Sequence, residues 1–155
     1  MDERIKTLAK NLANYSCRVK AGDKVYINYT GPSTEDLTRQ LVKEVYAAGG
    51  LPFVHYINPR VQREVLMNCT EEQIKIMAEL AEKEMSQMDC YIGVRGSDNV
   101  SELSDVPADR MNLYETLYST PVQHGIRVPK TRWVVLRYPN DSMAQLYGTS
   151  PEAFV

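Results

Sequence analysis

Histidine, cysteine and tryptophan are scarce in this 155-residue chain, and each scarcity closes off a kind of chemistry. The two histidines, His55 and His124, have no partner at His-x-x-x-His spacing and lie in no Asp/Glu cluster with ligand spacing. A self-contained metal centre is therefore not expected, and both read as structural. The three cysteines, Cys17, Cys69 and Cys90, are widely spaced, form no CxxC pair and are odd in number. They read as reduced, buried thiols, not a disulfide framework. No GxSxG elbow occurs and no cysteine has a histidine nearby in sequence, so a nucleophile is not apparent. The pair Glu71-Glu72 suits the positive end of a helix dipole and not acid–base work. No Lys/Arg-rich stripe interleaved with aromatics is present, and the net charge is −2, which gives no case for nucleic acid. No apolar run approaches membrane-spanning length. The start, Met1-Asp2-Glu3-Arg4-Ile5, is charged and lacks the apolar core of a signal peptide, so a cytoplasmic location is expected. Without that signal, Asn28-Tyr29-Thr30 and Asn68-Cys69-Thr70 are chance glycosylation triplets.

What is present is ordinary for a folded domain, with 43% hydrophobic and 25% charged residues. The length suits one domain with a sizeable core. Ile5, Leu8, Leu12 and Tyr15 predict an amphipathic helix over Asp2–Tyr15. After the Ala21-Gly22-Asp23 turn, Lys24–Thr30 reads as a strand, and Gly31-Pro32-Ser33-Thr34 breaks it. Leu37, Leu41, Val45 and Ala48 stripe a second helix that Gly49-Gly50 ends. A strand comes next over Leu51–Ile57, giving a βαβ unit with a right-handed crossover. Val61–Met67 reads as a short helix. Thr70-Glu71-Glu72-Gln73 has capping-box spacing and opens a helix to about Gln87, with Ile74, Met77, Ala78, Ala81 and Met85 on one face. Its methionines read as core packing in preference to a soft-metal stripe. Asp89–Val94 is a third strand, and Ala108–Ser119 a helix with Met111, Tyr114 and Leu117 inward. Gly125 and Pro129 interrupt the stretch between that helix and a fourth strand over Thr131–Arg137. This alternation predicts an α/β fold, three-layered and doubly wound, with a mainly parallel sheet of about four to five strands and helices on both faces.

Two loops at strand ends are candidate ligand sites. Gly31–Thr34 lies where α/β folds bind anions, yet it is neither GxxxxGK[S/T] nor GxGxxG, and a capped helix start is the plainer reading. Arg95–Asp98 could meet a ligand in the same crevice, or be a solvated loop. Trp133 reads as a core anchor in a central strand, or as a residue facing a partner. At the end of the chain, Ser150-Pro151-Glu152 has the residues of a helix start but no helix body. It predicts a piece of a longer protein, divided just after a domain boundary.

Thr131-Arg132-Trp133, Tyr138-Pro139, Ser142-Met143-Ala144-Gln145, Gly148 and Ser150 together resemble a signature of the thermophilic-type metallo-aminopeptidases, the aminopeptidase T, AmpS and leucyl aminopeptidase-like enzymes. The order of Leu8-Ala9, Leu12, Val19–Asp23 and Asn99–Val106 is similar to the same family's pattern, so the resemblance runs along the whole chain. It implies that residues 1–148 are an N-terminal α/β domain and that residues 149–155 begin the connection to a C-terminal catalytic domain. It implies two divalent metal ions, zinc or cobalt, that activate water against the peptide bond beside a free N-terminus. The family's His, Glu and Asp ligands belong to that other domain. No catalytic, cofactor-binding or metal-ligating residue can be carried over onto Met1–Val155, and the fragment is expected to be inactive. Peptide substrates, a homodimer with an enclosed chamber, and no nucleic-acid or membrane partner are the associated expectations. The alternative is a free-standing small-molecule-binding α/β module using loops 31–34 and 95–98. A third reading is an interaction domain with an apolar patch around Trp133 and Phe154.

Overall fold

A computed structural model describes residues 2–96 and 103–138. Four strands, β1 (Lys24–Thr30), β2 (Leu51–Ile57), β3 (Cys90–Arg95) and β4 (Arg132–Arg137), form an all-parallel sheet in the order β2-β1-β3-β4. The helices are α1 (Glu3–Asn11), α2 (Glu35–Ala47), α3 (Pro59–Met67), α4 (Glu71–Met85) and α5 (Ala108–Tyr114). This is the doubly wound α/β architecture that the alternation predicts. The first two strands have the predicted bounds, and β3 and β4 begin one residue later. Pro139, the stretch 140–155 with its helix start at Ser150 and the boundary at 148, Phe154, and residues 97–102 with Ser97 and Asp98 lie outside the described residues.

Side chains of β1 alternate between two faces. Val25 and Ile27 join Cys90, Ile92, Val94 and Leu136 under α1 and α2, where Leu8, Leu12, Leu37, Leu41 and Val45 complete the main core. On the other face Tyr26 and Tyr91 pack with Met85, Met88 and Val122. A third cluster, Leu66, Cys69, Ile74 and Val106, ties α3 to α4. Helix ends obey their sequence signals. At the end of α2, Gly49 adopts φ +86°, its N–H reaches the Tyr46 carbonyl and the Gly50 N–H reaches Val45, both at 2.9 Å. That is a Schellman ending, which needs a residue free of Cβ strain. Thr70 and Gln73 close the predicted capping box with bonds of 3.2 and 3.4 Å.

The helices depart from expectation where their turns widen. After Asn11, α1 continues as a π-helical segment over Leu12–Ser16. The wider turn rotates later residues off the buried face, and Tyr15, predicted inward, is 78% exposed. After α5 a π-helical segment runs over Glu115–Arg127, through Pro121 and Gly125, and a last turn, Val128–Lys130, contains Pro129. The predicted interruption is absent because packing against α4 outweighs local propensity. π-Helix is rare and concentrates at functional sites.

Among the described residues, no strand pairs with the outer edge of β2 or of β4. Trp133 on β4 is 45% exposed, so it is no central core anchor. Its neighbour Arg132 has the structural role. Arg132 pairs with the carboxylate of Asp23, which is 6% exposed, and donates to the Cys17 carbonyl at 2.8 Å and to Cys90 Sγ at 3.2 Å. Asp23 also accepts from the Lys20 N–H at 3.0 Å. One guanidinium thus ties β4 to the entry of β1, the start of β3 and the end of the first helix.

Candidate functional site

In the order β2-β1-β3-β4, successive connections diverge between β1 and β3, and open α/β sheets bind ligands beyond the strand ends at such a point. The described parts of the two predicted loops, Gly31–Thr34 and Arg95–Gly96, meet here and pack against each other. The Gly96 N–H donates to the Thr30 carbonyl at 2.8 Å. Gly31 adopts φ +85°, and a Cβ there would lie 3.2 Å from Gly96 Cα. Thr34, fully buried, turns its hydroxyl back onto the carbonyls of Thr30 and Gly31, at 3.1 and 2.8 Å. It makes no side-chain cap on α2, which corrects the reading of this loop as a capped start. Among the described residues of these loops, Arg95 lines a cavity.

That cavity, of about 550 Å³, lies on the α4 side of the sheet, toward the carboxyl ends of β1 and β3. Its floor includes Tyr26, Asn28 and Thr30, every second residue of β1, with Tyr91, Gly93 and Arg95 in register on β3. A buried central parallel strand is normally apolar on both faces. Asn28 and Thr30 break that rule, and they do so inside the cavity. The π-helical segment forms the opposite wall with Tyr118, Ser119, Gln123 and Arg127.

Aromatic rings line the floor. Tyr26 stacks between His55 and Tyr91, with centroids 4.7 and 5.7 Å away. Tyr114 stacks on Tyr118 at 4.9 Å and receives a hydrogen bond from Gln62 at 3.4 Å. The Arg127 guanidinium lies 4.6 Å from the Tyr91 centroid and 5.3 Å from that of Tyr26. Arg127 is 7% exposed. Its polar partners are the Gln123 side chain at 3.4 Å and the Tyr118 hydroxyl. Among the described residues it forms no ion pair with a carboxylate. Burial raises the phenols of Tyr26 and Tyr118 above the ordinary value and pushes Tyr114 up to about 12. Burial keeps these phenols in the neutral, hydrogen-bonding form at physiological pH.

Three buried side-chain atoms among the described residues lack any hydrogen-bond partner: Asn28 Oδ1, the Tyr91 hydroxyl and Arg127 Nε. All three residues line this one cavity. Buried polar atoms are rarely left unpaired, because each costs roughly 1–3 kcal/mol. Sequence reading passed over them. Asn28 and Thr30 drew attention only as a glycosylation triplet, although polar residues at alternate positions of a central strand were a usable signal.

His55 contacts Glu84 at 2.9 Å, and His124 sits exposed at the cavity mouth. Cys17, Cys69 and Cys90 are buried and free, and burial pushes Cys17 up to about 12 and Cys90 to about 11. Among the described residues no three His, Cys, Asp or Glu side chains are grouped to hold a metal ion. The described residues do not fit the metal pair, which the resemblance places on another domain. Among them, too, no helix is long and apolar enough to cross a membrane.

Comparison with known proteins places this geometry. The thermophilic metalloprotease (M29) family matches residues 1–154. Wild-type AmpT from Thermus thermophilus shares the fold, with TM-score 0.68 and 19% identity over 89% of this chain and 36% of that one. The chain thus spans about a third of that protein's length. A LacI-family transcription repressor from Corynebacterium glutamicum matches at TM-score 0.36 and 12% identity, over 86% of this chain and 59% of its own, too slight a likeness to argue from. No curated protein matches.

Proposed function

The chain belongs to the thermophilic metalloprotease (M29) family, and from that premise we propose that it forms the N-terminal, non-catalytic α/β domain of a two-metal aminopeptidase. The observation that carries this reading is the family match over residues 1–154 combined with a fold shared across only 36% of AmpT. In this reading the zinc or cobalt ions are held by residues outside 1–155. No step of the reaction falls to this chain. In this reading residues 1–148 form the domain and 149–155 begin the connection to the catalytic one. The parent acts in the cytoplasm as a homodimer on peptides with free N-termini, and this domain helps to wall its active-site chamber. Assaying the chain against an aminoacyl-arylamide with zinc or cobalt tests the proposal. No turnover is expected, whereas a chain continued into the His, Glu and Asp motifs turns substrate over. Metal-dependent turnover by residues 1–155 alone overturns the non-catalytic role.

The alternative, a free-standing module binding a small molecule through loops 31–34 and 95–98, has less support. Gly31 and Gly96 pack together where the ligand would enter.

A further inference from the structure

We propose that the cavity between β1, β3 and the π-helical segment Glu115–Arg127 binds a small carboxylate bearing an N–H donor, the chemistry of a free amino acid. This goes beyond the peptidase reading and does not rest on it, because the site uses no metal and no residue of another domain.

Charge is the first argument. Arg127 is always protonated, is almost wholly buried, and has only neutral partners among the described residues. Ring faces attract a cation but do not replace a counter-ion. An anionic oxygen at Nε–H supplies both the missing hydrogen bond and the missing charge, and a guanidinium binds a carboxylate best through two parallel bonds. Arg95, on the same lining, adds a second positive charge.

The second argument is the pattern of the unpartnered atoms. Tyr91 connects them. Its ring lies under Arg127, and its hydroxyl would sit 3.2 Å from a Cβ on Gly93. Gly93 is the cross-strand partner of Asn28, and paired strands run only about 5 Å apart. The cation, the phenol and the amide oxygen therefore fall within the span of one compact molecule. The amide oxygen of Asn28 is an acceptor, so its complement is a hydrogen-bond donor, and the charged N–H of an ammonium is the strongest donor a small carboxylate can carry. A carboxylate at Arg127 with an ammonium at Asn28, bridged by the Tyr91 hydroxyl, satisfies all three. Inorganic phosphate satisfies Arg127 but brings only a neutral O–H, and no cationic donor, to Asn28.

Gly93 keeps the space open, since a Cβ there would also crowd Tyr91 Cε1 and Val135 Cγ2, both at 3.3 Å. The volume, about 550 Å³, falls in the range of small-molecule sites.

The test is calorimetric titration of the purified chain, in chelator, with L-leucine, isoamylamine, 4-methylpentanoate and inorganic phosphate. L-Leucine is expected to bind, with the amine and the carboxylate each at least about tenfold weaker. Arg127→Gln should weaken leucine binding at least about tenfold, and Arg127→Lys less, because it keeps the charge without the fork. Should Arg127→Gln fail to fold, the Arg127 Nε–H resonance of the unaltered chain decides, and it is expected to shift on adding leucine and not isoamylamine. Equal binding of phosphate and leucine, leucine affinity unchanged in Arg127→Gln, an unmoved Nε–H, or no binding at millimolar leucine each overturns the proposal.

Discussion

Replacing Arg132 with methionine keeps most of the buried stem and removes the charged fork, so it isolates what the fork does. Asp23 is 6% exposed and loses its cationic partner, retaining the Lys20 N–H. The Cys17 carbonyl and the Cys90 thiol lose a donor as well. Breaking a buried pair by removing one member costs about 3–5 kcal/mol, because the survivor stays buried and uncompensated. The Arg132 side chain is itself 28% exposed, which places the cost near the lower end, about 3 kcal/mol. That is a large part of the roughly 5–15 kcal/mol that holds a domain folded. With a urea dependence of about 1–3 kcal/mol per molar, the unfolding midpoint should fall by about 1–3 M. Asp23→Asn in the Arg132→Met background removes the stranded charge and should recover more than about 1 kcal/mol. Equilibrium urea unfolding of the four proteins in the cycle gives these numbers. A loss below about 1 kcal/mol for Arg132→Met, the value of a surface pair, would refute the argument, as would strict additivity.

Burial sets two further outcomes. Cys17 and Cys90, pushed up to about 12 and 11, should resist a chromogenic disulfide reagent at neutral pH in the folded chain and react on unfolding. Prompt labelling of either without unfolding contradicts their placement. The same shifts set an alkaline limit. A group whose value is raised in the fold contributes stability that is complete below its unfolded value and lost as pH climbs through the folded one. For the thiols and for Tyr114, pushed up to about 12 from 10.0, stability should decline from about pH 9 upward. Urea midpoints measured across that range check the slope, and phenolate absorbance should show some tyrosines ionising only with unfolding.

The sheet was legible because its signals are local. Val25-Tyr26-Ile27 and Leu51–Ile57 are β-rich runs closed by Gly, Pro or Asn, and such punctuation fixes strand ends within a residue. The caps at Gly49 and Thr70 were equally plain. Hydrogen-bond width is not local in this sense. Nothing in the spacing of Glu115–Arg127 announces a π-helix, and Pro121 and Gly125 argue for a break that packing overrides. The cavity was lost with it, since Tyr118, Gln123 and Arg127 all come from that segment. Trp133 misled for a different reason. An apolar run containing tryptophan reads as central, and only strand order shows that β4 is outermost among the described strands.

The two unpaired borders of the sheet have a practical consequence. On β2, Leu51, Val54 and Tyr56 are 46%, 41% and 46% exposed beside a row of backbone groups with no neighbouring strand among the described residues. Such borders recruit other chains, and of the usual deterrents Leu51–Ile57 carries Pro52 but no Lys, Arg, Asp or Glu and no bulge in its register with β1. Handled alone, the chain should keep best when dilute and cold, and its shelf life should shorten steeply with protein concentration. A lysine at Val54, which is 41% exposed on this outer strand, is the substitution that would lengthen it.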